Sequence, residues 1–347
     1  MSNPDLKWEE TTMSGLGVDL SLWRKLDLTF DIYNKKTDGI LLRLNTSQLT
    51  GLEAPVQNAA TVSNKGWEIG AQYNERWGDF KMNIGFNLSD VKNEIVDMKG
   101  QSSGTLLRQQ VGSSVNSIYG FIADGLYQSQ AEIDAGPTQF GTLKPGDIRY
   151  KDIAGAFDAN GNPIGDGKIT DADRTIIGST VPRYTYGFNM GLSYKGFKLS
   201  ALMQGVGKVD GYLDSHYVIP AVNSSAVKPW QLDYWTPENT DAEFPRVSLT
   251  STNNTQNSTK WMRSAAYMRL KNVQIGYELP KSFTENTFLQ SIYLYLNGQN
   301  LLTVTDFYEG YDPEINYNLG SSDGVALGGG NYYPQVKTFS FGIDVKF

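Results

Sequence analysis

Between Gly15 and Lys36 an apolar residue occupies nearly every second position. Leu16, Val18, Leu20 and Leu22 share one face of an extended segment, Leu26, Leu28, Phe30 and Ile32 share the next, and "WRK" lies between them. A period of two belongs to a strand covered on one side, so the pair predicts a hairpin. The pattern returns with Trp67, Ile69, Ala71 and Tyr73 opposite Phe80, Met82, Ile84, Phe86 and Leu88, across a turn at Gly78 and Asp79. It returns with Tyr184, Tyr186, Phe188, Met190 and Leu192 before a Lys195-Gly196 turn, then Phe197, Leu199, Ala201 and Met203. The chain closes on Phe339, Phe341, Ile343, Val345 and Phe347, apolar on one face to the last residue. Each arm is about the length of a tilted membrane-spanning strand, roughly 9–11 residues.

The intervening positions separate two kinds of solvent. A soluble sandwich exposes many Lys and Glu, whereas here the second face is dominated by Gly17, Asp19, Ser21, Gly70, Gln72, Asn83, Gly85, Asn87, Gly187, Asn189, Gly191 and Ser193. Small, neutral polar groups suit the wet, crowded lumen of a barrel. Composition agrees. With 36 Gly, 20 Tyr, 15 Phe and 7 Trp, and charged residues at 19% against roughly 25% in an ordinary soluble domain, the expected class is all-β, part of a transmembrane antiparallel β-barrel.

Loop lengths test this independently, because outer-membrane barrels have short periplasmic turns and long extracellular loops. If the turns near Arg24, Gly78 and Gly196 are periplasmic, the long connections at about 37–60, 90–182, 205–265 and 303–334 all fall on the opposite side. Parity then places "NSIYGFIADGLYQS" in an extracellular subdomain and leaves about nine spanning strands. Trp23, Trp77, Tyr194, Phe197 and Phe347 fall at the periplasmic boundary, where an aromatic girdle belongs.

Other features narrow the chemistry. No cysteine is present, so disulfides, thiolate metal sites and cysteine nucleophiles are excluded. The single histidine, His216, lacks the partners of a triad or a multi-histidine zinc site. A net charge of −7 without a clustered basic face argues against nucleic acid. No run of about 20 apolar residues marks a membrane-spanning helix, and "MSNPDLKWEETT" lacks the basic and apolar regions of a secretory signal. "GLGVDL" is no dinucleotide fingerprint, since the third glycine and the following helix are missing.

Several motifs in order, "NPDLKWEETT", "LDLTFDIYNKKTDGILL", "GDIRYKDI", "GDGKITDADRTIIG", "DYWTPENTDAEFPR", "YMRLKNVQIGYELP", "LYLNGQNLLTVTDFYEGYDPE" and "YYPQVKTFSFGIDVKF", resemble the C-terminal barrel portion of the SusC/RagA family. These are TonB-dependent outer-membrane transporters of Bacteroidota. The resemblance spans the chain and implies import of a glycan, oligosaccharide or peptide. It further implies a SusD-like lipoprotein as partner, the TonB complex as energy source, and outer-membrane lipid around the wall. It also implies a plug domain and earlier strands that these residues do not contain. Because a plugged transporter barrel has about 22 strands, nine would be its closing part, and the expectation is that the chain is a fragment of a longer polypeptide. The alternatives are a soluble secreted β-sandwich that binds glycans through surface aromatics, and a passive porin-type barrel.

Two constellations are candidate sites. In "FDANGNPIGDGKITDADRTIIG", Asp158, Asn160, Asp166 and Asp173 supply hard oxygens, Gly167 permits a sharp turn and the Lys168 carbonyl faces the same loop. These are parts of a calcium loop of the EF-hand kind, although "NPIG" interrupts the regular spacing. The resemblance implies a tighter form running from Asp152 through Asp166 to Asp173. The second set is aromatic: Trp230, Tyr234 and Trp235, then Phe307, Tyr308, Tyr311, Tyr317, Tyr332 and Tyr333, rings that either stack on cargo or pack the loops together. Asp312 with Glu314 and Glu238 with Asp241 are carboxylate pairs, but glycosidase chemistry needs two held at a defined separation across a cleft, so no enzyme is expected.

Overall fold

The computed structural model describes residues 3–43, 51, 54–161, 163–213, 218–222, 225–315 and 335–347. Nine long strands form one antiparallel sheet: β1 (Glu10–Leu22), β2 (Leu26–Arg43), β3 (Val56–Trp77), β4 (Phe80–Asp97), β5 (Arg183–Tyr194), β6 (Phe197–Lys208), β7 (Tyr267–Glu278), β8 (Ser291–Thr305) and β9 (Thr338–Lys346). Spatial order follows chain order, so the sheet is an uninterrupted meander. No second sheet of comparable size faces it among the described residues, which removes the sandwich alternative. Among the described residues no helix is long and apolar enough to cross a membrane.

Register keeps the apolar positions on one face across strand boundaries. Leu16 pairs with Ile32, Ile32 with Trp67, Ile69 with Leu88, and Leu192 with both Met82 and Leu199. The same face continues through Ile275 opposite Leu296 and Leu296 opposite Phe341. A slip of one residue would turn every one of these groups onto the polar side. Many of them are exposed in the isolated chain, Leu16 by 67% and Phe341 by 64%. An apolar face of this size, rimmed with polar ends, is built for a non-aqueous neighbour.

The opposite face is crowded rather than merely polar. The rings of Tyr293 and Tyr295 stack with centroids 5.6 Å apart and lie over Gly276 and Gly342 of the neighbouring strands, where a Cβ would collide with them. Glycine is required there because a ring covers the backbone.

Short connections join β1 to β2, β3 to β4 and β5 to β6 at one end, and residues 279–290 join β7 to β8 at that same end. The long connections lie at the other. They begin later than the sequence suggested: β2 continues to Arg43, β3 starts at Val56, β4 runs to Asp97, β6 to Lys208 and β8 to Thr305. The physical reason is that backbone pairing continues above the apolar belt, where alternation fades. Lys36 and Asp38 sit in paired strand and bridge to each other at 2.9 Å.

Residues 98–182 and 209–266 build a subdomain over the polar-faced end of the sheet. Ser117–Gly120 pairs with Thr175–Ser179 and with Leu107–Arg108, and Ala123–Leu126 pairs with Ile148–Tyr150, so "NSIYGFIADGLYQS" does form local structure outside the nine strands. Phe121, Tyr127, Ile148, Tyr150, Leu213, Phe244 and Trp261 are fully or almost fully buried. Their core continues into Val206 and Tyr267 at the ends of β6 and β7. The stem of the insertion is closed by Arg183, which forks its guanidinium onto both carboxylate oxygens of Asp90.

Candidate functional site

The subdomain core decides the role of the aromatic candidates. Trp235 is buried and its Nε1–H donates to Gln128 Oε1 at 2.9 Å; Tyr308 is buried and its hydroxyl donates to the Trp261 carbonyl at 2.9 Å. Trp230 packs between Phe244 and Tyr308 with centroids 5.7 and 5.9 Å away, and Tyr234 and Tyr311 lie against the same cluster. These five residues therefore help to cement the loops: Trp235 and Tyr308 are buried in the core, while Trp230, Tyr234 and Tyr311 are half-buried at its edge. Phe307 is likewise buried. Tyr317, Tyr332, Tyr333 and His216 lie outside the described residues.

The calcium expectation meets a different arrangement. A small hairpin, Ala156–Phe157 paired with Pro163–Gly165, is inserted between Asp152 and Asp166, and it carries Asp158 and Asn160 into its own turn. There Asp158 Oδ1 accepts the Asn160 amide and the Asp158 carbonyl accepts the Gly161 amide. At the base, the Asp152 carboxylate accepts the amides of Asp166 and Gly167 at 3.2 and 2.7 Å, and Asp166 accepts that of Lys168 at 3.0 Å. Asp173 is fully buried, with Oδ1 accepting the amides of Ile153 and Ala154 and Oδ2 that of Thr170. Backbone donors thus occupy the carboxylates, Ala154 offers no side-chain oxygen, and no three acidic or histidine side chains converge as a metal-holding group among the described residues. The expected ligands are therefore not gathered into one group of three acidic side chains among the described residues.

The geometry makes Asp173 a structural anion. Burial pushes its carboxyl up, but hydrogen bonds from Thr170, Ala154 and Ile153 outweigh that, and the folded-state pKa falls below the ordinary 3.8. A depressed pKa adds stability that is fully present above the unfolded value and lost as pH falls through the folded one. The subdomain is therefore expected to loosen in acid below about pH 4. Asp173→Asn should cost about 1.5–3 kcal/mol near neutrality and flatten that acid dependence, as read by tryptophan fluorescence across a pH series.

Sequence reading missed an ion network. Arg269, on the polar face of β7 and 2% exposed, donates from Nη2 to Asp312 at 2.8 Å, from Nε to Thr303 at 2.9 Å and from Nη1 to Glu314 at 2.5 Å. Lys271 reaches the same Glu314 carboxylate at 2.6 Å. The acidic pair after β8 is folded back onto the wall, saturated with cations rather than held across a cleft for acid–base work. A guanidinium at an inward position of β7 was the available signal; its acidic partners lie more than forty residues away.

A polar cavity of about 410 Å³ opens in the subdomain, lined by Gln128, Glu132, Arg149, Thr240, Asp241 and Lys260 among others. Burial lowers the pKa of the Lys260 ammonium, so a negative partner would be welcome there. The cavity presents both signs of charge.

Residues 1–301 match the family model described as "TonB dependent receptor-like, beta-barrel". The TonB-dependent receptor P3 of Formosa agariphila is 34% identical across 100% of this chain, which covers 35% of that relative's length. The TonB-dependent receptor SusC of Bacteroides thetaiotaomicron is 23% identical over 99% of the chain and 32% of its own length. Among solved structures, that of the RagAB peptide transporter superposes with a TM-score of 0.79 at 24% identity, over 99% of this chain and 36% of the other, which establishes the shared fold. The chain spans about a third of the length of the curated relatives it matches. With an all-β meander greasy on one side and neutral on the other, it belongs to the TonB-dependent receptor-like β-barrel family.

Proposed function

We propose that the chain forms part of the wall and the extracellular loops of an outer-membrane importer driven by the TonB complex and capped by a SusD-like lipoprotein. The observation that carries this reading is the nine-stranded meander itself: one face matches lipid, the other a hydrated lumen. Energy coupling would come from sequence outside these residues. The cargo is an organic nutrient of the peptide or oligosaccharide class. The cavity that combines Glu132 and Asp241 with Arg149 and Lys260 suits a zwitterionic peptide better than a neutral sugar.

The test is uptake by cells expressing the gene in full, with any sequence preceding residue 1, together with a candidate lipoprotein. Labelled peptide should accumulate, accumulation should stop when the proton-motive force is collapsed, and Lys260→Gln should raise the half-saturating concentration about tenfold. Accumulation of oligosaccharide alone would reassign the cargo. Equilibration that ignores the proton-motive force would mean a passive pore.

A further inference from the structure

The short-turn end of the sheet repeats one chemical theme at every strand terminus. Residues 23–25 read "WRK", 76–81 "RWGDFK", 194–198 "YKGFK", 281–283 "KSF" and 346–347 "KF", so each places an aromatic ring within two positions of a cation. The rings are exposed: Trp23 by 77%, Trp77 by 57% and Phe347 by 72%. Lys25 is neutralised by Glu75 at 2.7 Å and Lys198 by Glu278 at 2.7 Å. Arg24, Arg76, Lys81, Lys195, Lys281 and Lys346 form no ion pair among the described residues. Against these six stand Asp27, Asp79, Glu285 and Asp344, so this rim keeps a positive excess on a chain whose net charge is −7.

The backbone adds a second observation. Trp23 and Arg24 both occupy left-handed conformations, φ 54° and 56°, in a turn where Asn-Gly would sit without strain. Strained backbone of this kind clusters where side chains serve a function. A ring at the end of an apolar face settles at the depth where hydrocarbon gives way to headgroups. A cation one strand position further, about 3.3 Å on, reaches the phosphate layer.

We propose that this rim is a binding surface for anionic glycerophospholipid headgroups in the membrane leaflet nearest the short turns. The proposal rests on the membrane reading above and extends it from lipid in general to a headgroup class. The attraction is electrostatic, so salt screens it, and several cations acting together give a preference of about fivefold or more.

The experiment reconstitutes the protein, with any sequence preceding residue 1, in phosphatidylcholine bilayers and adds brominated phosphatidylglycerol or brominated phosphatidylcholine. Quenching that disappears in a Trp23→Phe/Trp77→Phe variant reports the rim. Phosphatidylglycerol should quench at about one fifth of the mole fraction that phosphatidylcholine needs. The preference should vanish when Arg24, Arg76, Lys195 and Lys346 are replaced by Gln, and should survive Arg24→Lys/Arg76→Lys. Should the four-site variant fail to insert, salt decides: a preference that persists in the unaltered protein once the Debye length is about 3 Å overturns the proposal. Equal quenching by the two lipids also overturns it while leaving the importer intact. Absence of quenching by either overturns the membrane reading itself.

Discussion

Arg269→Met is expected to destabilise the protein by about 3–5 kcal/mol, because it strips a buried anion of its partner without removing the anion. Asp312 is 4% exposed and would keep its charge in a site that cannot hydrate it. Its carboxylate also accepts the amides of Glu314 and Gln335, so this group joins Glu314 in fastening the segment after β8 to the wall. The damage should be local first: amide exchange in residues 306–315 should accelerate before β7 and β8 separate. The decisive measurement is a cycle with Asp312→Asn, which deletes the charge while keeping one of the two acceptor oxygens. Recovery of most of the lost stability in the double variant, by denaturant titration, would identify the uncompensated charge as the cause. Equal losses in the double and single variants would assign the effect to packing of the guanidinium.

Trp261→Ala should cost a similar amount, about 3–5 kcal/mol, by emptying the centre of the subdomain core. Trp261 is 1% exposed, its Nε1–H donates to the Asn254 carbonyl at 3.1 Å, and its own carbonyl receives the Tyr308 hydroxyl. The side chain therefore fills the core that residues 209–266 share with Phe307 and Tyr308, while the backbone acceptor for Tyr308 survives the substitution. Limited proteolysis should find residues 98–182 newly cleavable, with the nine-stranded sheet still protected. Simultaneous loss of both would show that subdomain and wall unfold as one cooperative unit.

The sequence made the wall legible because its information is local: one period-two pattern and one short turn define each hairpin, as at Leu22, Trp23 and Leu26. Strand ends were less legible, since Lys35, Lys36 and Asp38 carry no apolar alternation yet remain hydrogen-bonded to β1. The aromatic loop residues were ambiguous for a compositional reason. Trp235 and Tyr308 would read the same on a sugar-stacking surface or in a core, and only the placement of Gln128 and Trp261 separates the two. The acidic loop misled through spacing: "NPIG" looked like a defect in a ligand series, whereas a whole hairpin had been inserted and the Asp158 end turned away. The Arg269 network was invisible because nothing near "YMRLKN" announces the acids of "YDPE".

The insertion between β4 and β5 also sets an order of events for a nascent chain. Bringing Asp97 to Arg183 across residues 98–182 costs about 3 kcal/mol more in closure entropy than a two-residue turn would. A subdomain that has already condensed around Phe121, Tyr150 and Trp261 holds the two ends together in advance, and the Arg183 fork on Asp90 then clips them. The subdomain between β4 and β5 would thus act earlier in the protein's life as the scaffold on which two halves of the wall find each other. Slowing its condensation should stall assembly at the four-stranded stage.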